Sequence, residues 1–252
     1  LSEIQSLARG LKILDILAQA DGSVSVTQIA EAFDIDKSSA SRLVQTLANY
    51  GYAEQDPRSR RYYLGTKVMA LSRNWLRRSP LHEYARPFLH DLVEATGECS
   101  HVAIYSRGAA FFIADVESHA TLRVATGIGR TTPLHCTAVG KVLMTFGGIE
   151  LPQELRAETP RTIINHNQLR LHLEQVRYQG YAVDDEEFTA GVRCLAVPVF
   201  DHTGHGIATM GISGPSVRMT MDLIPEFAEI VMGAAAGLSK RLGFHAVSEE
   251  SG

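Results

Sequence analysis

Residues 36–50 read DKSSASRLVQTLANY. Asp36 has the short carboxylate of a helix N-cap, and the spacing behind it predicts a helix from Lys37 to about Tyr50, stopped by Gly51. On a 3.6-residue period the run has two faces. Ala40, Leu43, Val44 and Leu47 would pack inward, while Lys37, Ser38, Ser39, Ser41, Arg42 and Gln45 would point outward. A helix in the DNA major groove needs short donors for phosphates and longer side chains for base edges. Ser38 and Ser39 suit phosphates at the helix start, and Arg42 and Gln45 suit base edges.

The flanks complete a pattern. Upstream, Ser25-Val26-Thr27-Gln28 matches a capping box, and Ile29, Ala30 and Phe33 give the apolar face of a short helix that ends in an Asp34-Ile35 turn. Before it, residues 4–20 read as an amphipathic helix with Leu7, Leu11, Leu14 and Leu17 at helical spacing, widened by Ile13 and Ile16 and ended by Asp21-Gly22. Downstream, Tyr52 to Leu64 alternates around an Asp56-Pro57-Arg58-Ser59 turn and predicts a β-hairpin. Helix, helix, turn, helix and hairpin within about 65 residues is the order of a winged helix-turn-helix. Arg58, Arg60 and Arg61 at the hairpin tip suit flanking phosphates or the minor groove, and Arg9 and Ser25 join the expected DNA contacts. The expected partner is double-stranded operator DNA.

The formal charge of −4 over 252 residues does not oppose this. Residues 1–65 carry 7 basic and 8 acidic side chains, 66–80 carry 4 and none, and 81–252 carry 13 and 20. The deficit therefore sits away from the predicted DNA reader, and phosphate affinity depends on local cations. The length predicts two ordinary domains. No apolar run approaches the ~20 residues that span a bilayer, and the first ten residues lack a signal-peptide core; a cytoplasmic protein with no membrane partner is expected. Cys99, Cys136 and Cys194 are an odd count without a CxxC pair, which argues against a disulfide framework or a zinc knuckle. No phosphate-binding loop, nucleophile-elbow Gly-x-Ser-x-Gly or His-Glu-x-x-His helix is present, so neither an enzyme nor a cofactor is expected. Three alternatives stay open: a hydrolase with Cys136 or Cys194 as nucleophile and His135 as base, a metal on His101, Cys136 and Cys194, and an interaction module without ligand.

Residues 66–80 predict a linker helix with Val68, Met69, Leu71, Trp75 and Leu76 on one side and Arg73, Arg77 and Arg78 on the other. Trp75 reads as a dimer contact. From residue 81 to 252 the pattern mixes helices and strands. Helices are expected at Leu81–Thr96, from Thr137 to Phe146, at Asn167–Gln179 with Asn167 as N-cap, and at Leu223–Leu242 with Asp222 as N-cap. Strands are expected at Ser100–Ser106, Phe111–Glu117, Thr121–Thr126, Tyr181–Asp184, Cys194–Asp201 and Ile207–Ser213. Short turns between strands predict an antiparallel sheet with helices beside it, an α+β domain. Thr137 as N-cap leaves Ala138, Val139 and Gly140 in a first helical turn, whose free N–H groups and dipole favour an anion.

Several motifs now appear in one order: SLARGLKIL (6–14), KSSASRL (37–43), YYLG (62–65), PLHCTAVGK (133–141), GYAVDDEE (180–187), GVRCLAVP (191–198) and SGP (213–215). Together they resemble the IclR family of transcriptional regulators over essentially the whole chain. The resemblance implies a GAF-like effector domain, a homodimer that can pair into a dimer of dimers, and control of a catabolic operon through a small carboxylate effector. It places Ala138 and Val139 where backbone donors hold the carboxylate, Asp184, Cys194 and Ser213 where polar side chains complete the pocket, and Val124, Thr132 and Val192 on its walls. One position departs from the pattern. Gly211 stands where some members that sense small keto acids have serine, and the lost side chain is expected to leave room for a larger, aromatic carboxylate.

Overall fold

The computed structural model describes residues 3–20, 22–77 and 80–245, the side chains of 73–77 excepted. It divides into two compact units, Leu1–Ser79 and Pro80–Gly252.

The first unit contains α1 (Gln5–Gln19), α2 (Val26–Phe33), α3 (Lys37–Asn49), the hairpin β1 (Ala53–Gln55) and β2 (Tyr62–Leu64), and α4 (Lys67–Arg77). This is the winged helix-turn-helix order read from the sequence. Its capping chemistry follows the residues. Ser25 Oγ accepts from Gln28 N while Gln28 Oε1 accepts from Ser25 N, closing the capping box. Asp36 accepts from Ser39 N at the start of α3. Ser25→Ala is expected to cost this unit about 1 kcal/mol, read as a lower urea midpoint; an unchanged midpoint would mean that the cap contributes nothing.

Ile13, Leu17, Ile29, Ala40, Val44, Ala53 and Tyr62 form the core of this unit. The apolar stripe of α1 is longer than that core: Leu7 and Leu11 stay exposed, because only the C-terminal half of α1 packs on α2 and α3. The helix α4 lies within the expected linker, but the side chain of Trp75, and with it the expected dimer contact, lies outside the described residues.

The second unit is α+β. It contains α5 (Pro80–Thr96), β3 (Cys99–Ser106), β4 (Ala109–Val116), β5 (Thr131–Thr132), α6 (Ala138–Phe146), α7 (His166–Gln179), β6 (Ala182–Asp185), β7 (Val192–Phe200), β8 (Gly206–Pro215) and α8 (Ile224–Arg241). Six antiparallel strands run in the order β5-β4-β3-β8-β7-β6. Leu89, Val102, Ile113, Leu195, Met210, Ile212 and Val231 build a core with α5 and α8 on one face. Ala103, Phe112, Val139, Leu143, Leu169 and Ala196 build another with α6 and α7 on the opposite face. Alternation along the strands separates the two sets, and each fully buried Leu or Ile contributes roughly 1.5–3 kcal/mol. Among the described residues no helix is long and apolar enough to cross a membrane.

Three local expectations are corrected. Thr121–Thr126 is not a strand. The segment is held as a loop by tertiary bonds: the Cys99 thiol donates to Val124 O, and Asp115 Oδ2 accepts from Thr126 Oγ1 and Gly127 N. The cap of α7 is Asn165 rather than Asn167, its Oδ1 accepting from Asn167 N and Gln168 N. Asp222 does not cap α8; it lies in a single 3-10 turn, Met221–Leu223, that leads into the helix, and Pro225 in the first turn has no N–H to satisfy.

Candidate DNA-binding face and effector cavity

In the first unit α3 carries its polar residues outward. Lys37, Ser38, Arg42 and Gln45 are exposed, and Ser39 and Ser41 are half-buried. Ser38 Oγ donates to Asp36 Oδ1 at 2.6 Å, and this bond above all holds the Asp36 carboxyl well below its usual range. Ser38 is thus part of the cap, and the donors left at the helix start are backbone N–H groups. Arg42 Nη2 donates to Ser39 Oγ at 3.3 Å, one turn back. Gln45 is held on both sides: its Oε1 accepts from Tyr62 OH, and its Nε2 donates to Asn49 Oδ1, each at 3.2 Å. Tyr62, a buried wing residue absent from the sequence-based contacts, thereby orients a side chain of α3.

The wing arginines divide. Asp56 Oδ1 accepts from Arg58 N and Ser59 N, shaping a tip on which Arg58 and Arg60 are exposed, Arg60 with φ of +59°. Arg61 instead turns inward, donating to Ser23 O and to Gln28 Oε1, so it ties the wing to the start of α2. Ser25 is engaged in its capping box, and Arg9 lies half-buried on α1.

The second unit contains a partly open cavity of about 250 Å³ on the α6 side of the sheet. Val124, Thr132, Ala138, Val139, Asp184, Val192, Cys194 and Ser213 all line it, together with residues that were not among the expected effector contacts, such as His101, Phe112, Arg130 and Phe188. These come from the start of α6, from separate strands and from the loops 117–130 and 186–191.

The start of α6 is built for an anion. Thr137 Oγ1 donates to Pro133 O and accepts from Gly140 N. Ala138 and Val139 follow in the first turn, where backbone N–H groups have no intrahelical acceptor. A Cβ on Gly140 would stand 2.2 Å from Leu134 O, so only glycine lets this turn sit against the preceding segment.

Facing that turn, Asp184 on β6 is buried, with Oδ1 accepting from Glu187 N at 2.8 Å and Phe188 N at 3.3 Å. Burial pushes its carboxyl up to about 7. Cys194 is the register partner of both Asp184 and Ser213, so the three form a row across β6, β7 and β8. Beneath the row, Lys141 on α6 is fully buried; its Nζ donates to Val183 O at 3.0 Å and pairs with Glu187.

Gly211 is not part of the wall. A Cβ there would meet Leu195 O at 2.3 Å and His101 Cε1 at 2.9 Å. The room expected from the missing side chain is therefore taken up by the β7 backbone and the imidazole of His101, and space for a ligand comes from the cavity itself.

The thiols lack the setting of nucleophiles. Burial pushes Cys136 up to about 12 and raises Cys194 as well. His135 Nε2 faces Arg156 O at 2.8 Å, not a thiol. Among the described residues no three His, Cys, Asp or Glu side chains are grouped to hold a metal, so His101, Cys136 and Cys194 do not form such a set.

Comparison with known proteins agrees with both units. The IclR helix-turn-helix domain matches residues 6–57, and the bacterial transcriptional regulator IclR C-terminal domain matches 73–240. The HTH-type transcriptional regulator BhcR of Paracoccus denitrificans is 36% identical over 242 residues, covering 94% of this chain and 86% of its own. The crystal structure of the Thermotoga maritima IclR superposes with a TM-score of 0.77 at 31% identity, covering 96% of this chain and 100% of that one. An IclR homologue from Microbacterium hydrocarbonoxydans, crystallised with 4-hydroxybenzoate, shares the fold with a TM-score of 0.81 at 21% identity, covering 94% and 98%. From helix-turn-helix to effector-side sheet, the chain belongs to the IclR family of bacterial transcriptional regulators, which bind DNA through the first unit.

Proposed function

We propose that this regulator controls a catabolic operon by binding a small carboxylate in the cavity of the second unit, and that the ligand alters operator affinity. The observation that carries the reading is the first turn of α6, where the buried residues Ala138 and Val139 line the cavity. An anion there meets free donors and the positive end of the helix dipole. Asp184, Cys194 and Ser213 supply polar contacts, and Val124, Thr132 and Val192 the walls. A cavity of roughly 150 Å³ is enough for benzene, so one of about 250 Å³ accommodates an aromatic ring and exceeds what a two- or three-carbon keto acid needs. The 4-hydroxybenzoate of the Microbacterium homologue is a ligand of that class.

On DNA, a cytoplasmic homodimer would place two copies of α3 in successive major grooves of a palindromic operator, with a dimer of dimers as the larger assembly. Lys37, Ser39, Ser41, Arg42 and Gln45 would face the groove from α3, Ser38 through its backbone N–H, and Arg58 and Arg60 would reach flanking phosphates, with Arg9 nearby. Ser25 and Arg61 would act by holding the wing and α2 in place. Ligand and operator would change each other's affinity by the same factor. The protein carries out no catalysis in this reading.

Calorimetric titration with glyoxylate, pyruvate and hydroxybenzoates, followed by gel shifts on an operator selected from random duplexes, tests it. Saturable binding of a carboxylate that shifts operator affinity is expected. Tight glyoxylate binding with no response to aromatics would overturn the larger-ligand assignment, and no binding at all would overturn the effector reading. Arg42→Ala is expected to weaken specific operator binding by about 1–3 kcal/mol; unchanged affinity in the gel-shift titration would remove Arg42 from the base-reading set.

A further inference from the structure

His101 is a buried imidazole on the cavity wall, 1% exposed, with no hydrogen-bond partner at its Nδ1. Its seat is made by a missing side chain. His101 and Gly211 are opposite each other in the β3–β8 register, and a Cβ on Gly211 would come 2.9 Å from the ring. In that seat the ring meets Phe112 edge-on, with centroids 5.1 Å apart and planes at 87°. Its Nε2 lies 2.8 Å from Ser213 Oγ, which in turn stands 3.1 Å from Cys194 Sγ. Burial holds the imidazole well below its ordinary value, to about 4, so it is neutral at pH 7.

A serine hydroxyl has one proton and two lone pairs. If Nε2 accepts, the Ser213 proton points at His101. If Nε2 donates, the Ser213 proton goes to the Cys194 sulfur and one lone pair is used by His101. In either tautomer the proton is engaged within the wall, and Ser213 offers the cavity a lone pair. A ligand group that donates would satisfy it, whereas a bare C–H would leave a buried acceptor unpaired, which costs more than the bond itself contributes.

We propose that His101, seated over Gly211, is a specificity-determining residue: through Ser213 it makes the cavity select carboxylates that carry a hydroxyl over the same carboxylates without one. The inference rests on the carboxylate reading of the cavity. It is tested by calorimetry on the full chain with matched pairs, benzoate against its 3- and 4-hydroxy derivatives and propionate against lactate, for the wild type and for H101F, H101Q and G211A. Circular dichroism confirms that each variant is folded. In at least one pair the hydroxylated member is expected to bind roughly tenfold tighter to the wild type. H101F keeps a ring against Phe112 but has no nitrogen; it should bind the unhydroxylated member as before and lose the preference. G211A, whose Cβ would meet Leu195 O at 2.3 Å as well as the imidazole, should lose it too. H101Q, whose amide reaches toward Ser213, should retain part of it. A wild type that binds both members alike, or an H101F that keeps the preference, overturns the role of His101 and leaves the carboxylate reading standing. Failure of the wild type to bind any of these acids overturns both.

Discussion

Lys141→Met is expected to destabilise the second unit by about 3–5 kcal/mol. Lys141 is fully buried, and the side chain of Glu187 is 7% exposed. Removing the ammonium leaves an ionised carboxylate in the interior with no counter-charge, and it also removes the donor to Val183 O. That deletion is costly because Glu187 has already lost its water. Its carboxyl is raised by burial, and Lys141 is the largest influence pulling it back down. Without Lys141 the carboxyl should take up a proton at higher pH, so the loss should be greatest above neutrality and shrink toward acid pH. The double variant Lys141→Met, Glu187→Leu should recover most of the stability, since replacing both members of a buried pair by apolar groups is often neutral or better. Urea unfolding at pH 5.5 and 8 measures all three. A single variant as stable as the wild type at pH 8 would show that the pair is unimportant. The pair also bears on the site: Glu187 N holds Asp184 Oδ1, so Lys141 connects the start of α6 to the carboxyl that faces it.

Carboxylate binding in the cavity is expected to weaken by about a hundredfold between pH 6 and pH 9, through Asp184. The start of α6 offers the equivalent of roughly half a positive elementary charge, less than one carboxylate carries. If Asp184 is ionised, a bound carboxylate places a second negative charge in the same buried space. Of the charged neighbours, Lys141 lowers the Asp184 carboxyl and Glu187 raises it, so their pair adds little net compensation. Binding should therefore draw a proton onto Asp184. With its carboxyl at about 7, affinity should be nearly flat below pH 6 and fall about tenfold per pH unit well above 7. The same shift acts on folding. The folded state binds this proton more tightly than the unfolded chain, whose carboxyl stays near 3.8, so the contribution to stability declines as pH rises from about 4 to about 7. Calorimetry in buffers of different ionisation enthalpy should find close to one proton taken up at pH 8, and Asp184→Asn should take up none and bind independently of pH. Zero uptake by the wild type would show that the ligand is held with Asp184 ionised.

The features legible in the sequence are those governed by neighbours in the chain. Ser25 with Gln28, Asp36 with Ser39, and Thr137 with Gly140 are caps closed within three residues, and the two faces of α3 follow from its period alone. Such pairs form wherever the backbone turns, so local residue types predict them. The anion-ready start of α6 belongs here, as does the DNA-reading order of the first unit. Resemblance to a family, carried by motifs such as PLHCTAVGK, supplied Asp184, Cys194 and Ser213, which periodicity could not.

Tertiary structure decided what depends on residues far apart. Thr121–Thr126 has the composition of a strand, yet Cys99 and Asp115 hold it as a loop over the cavity. Nothing near Lys141 in the chain marks it for burial; its carboxylate partner lies 46 residues away and reaches it only when β6 packs beside α6. Arg61 reads as a wing-tip cation until Ser23, 38 residues earlier, comes within reach. His101 and Ser213 stand 112 residues apart and meet because β3 and β8 are neighbours in the sheet. Gly211, taken from the sequence as empty space, is the seat of that histidine. A glycine announces that a side chain is missing, but only the packed strands show what fills its place.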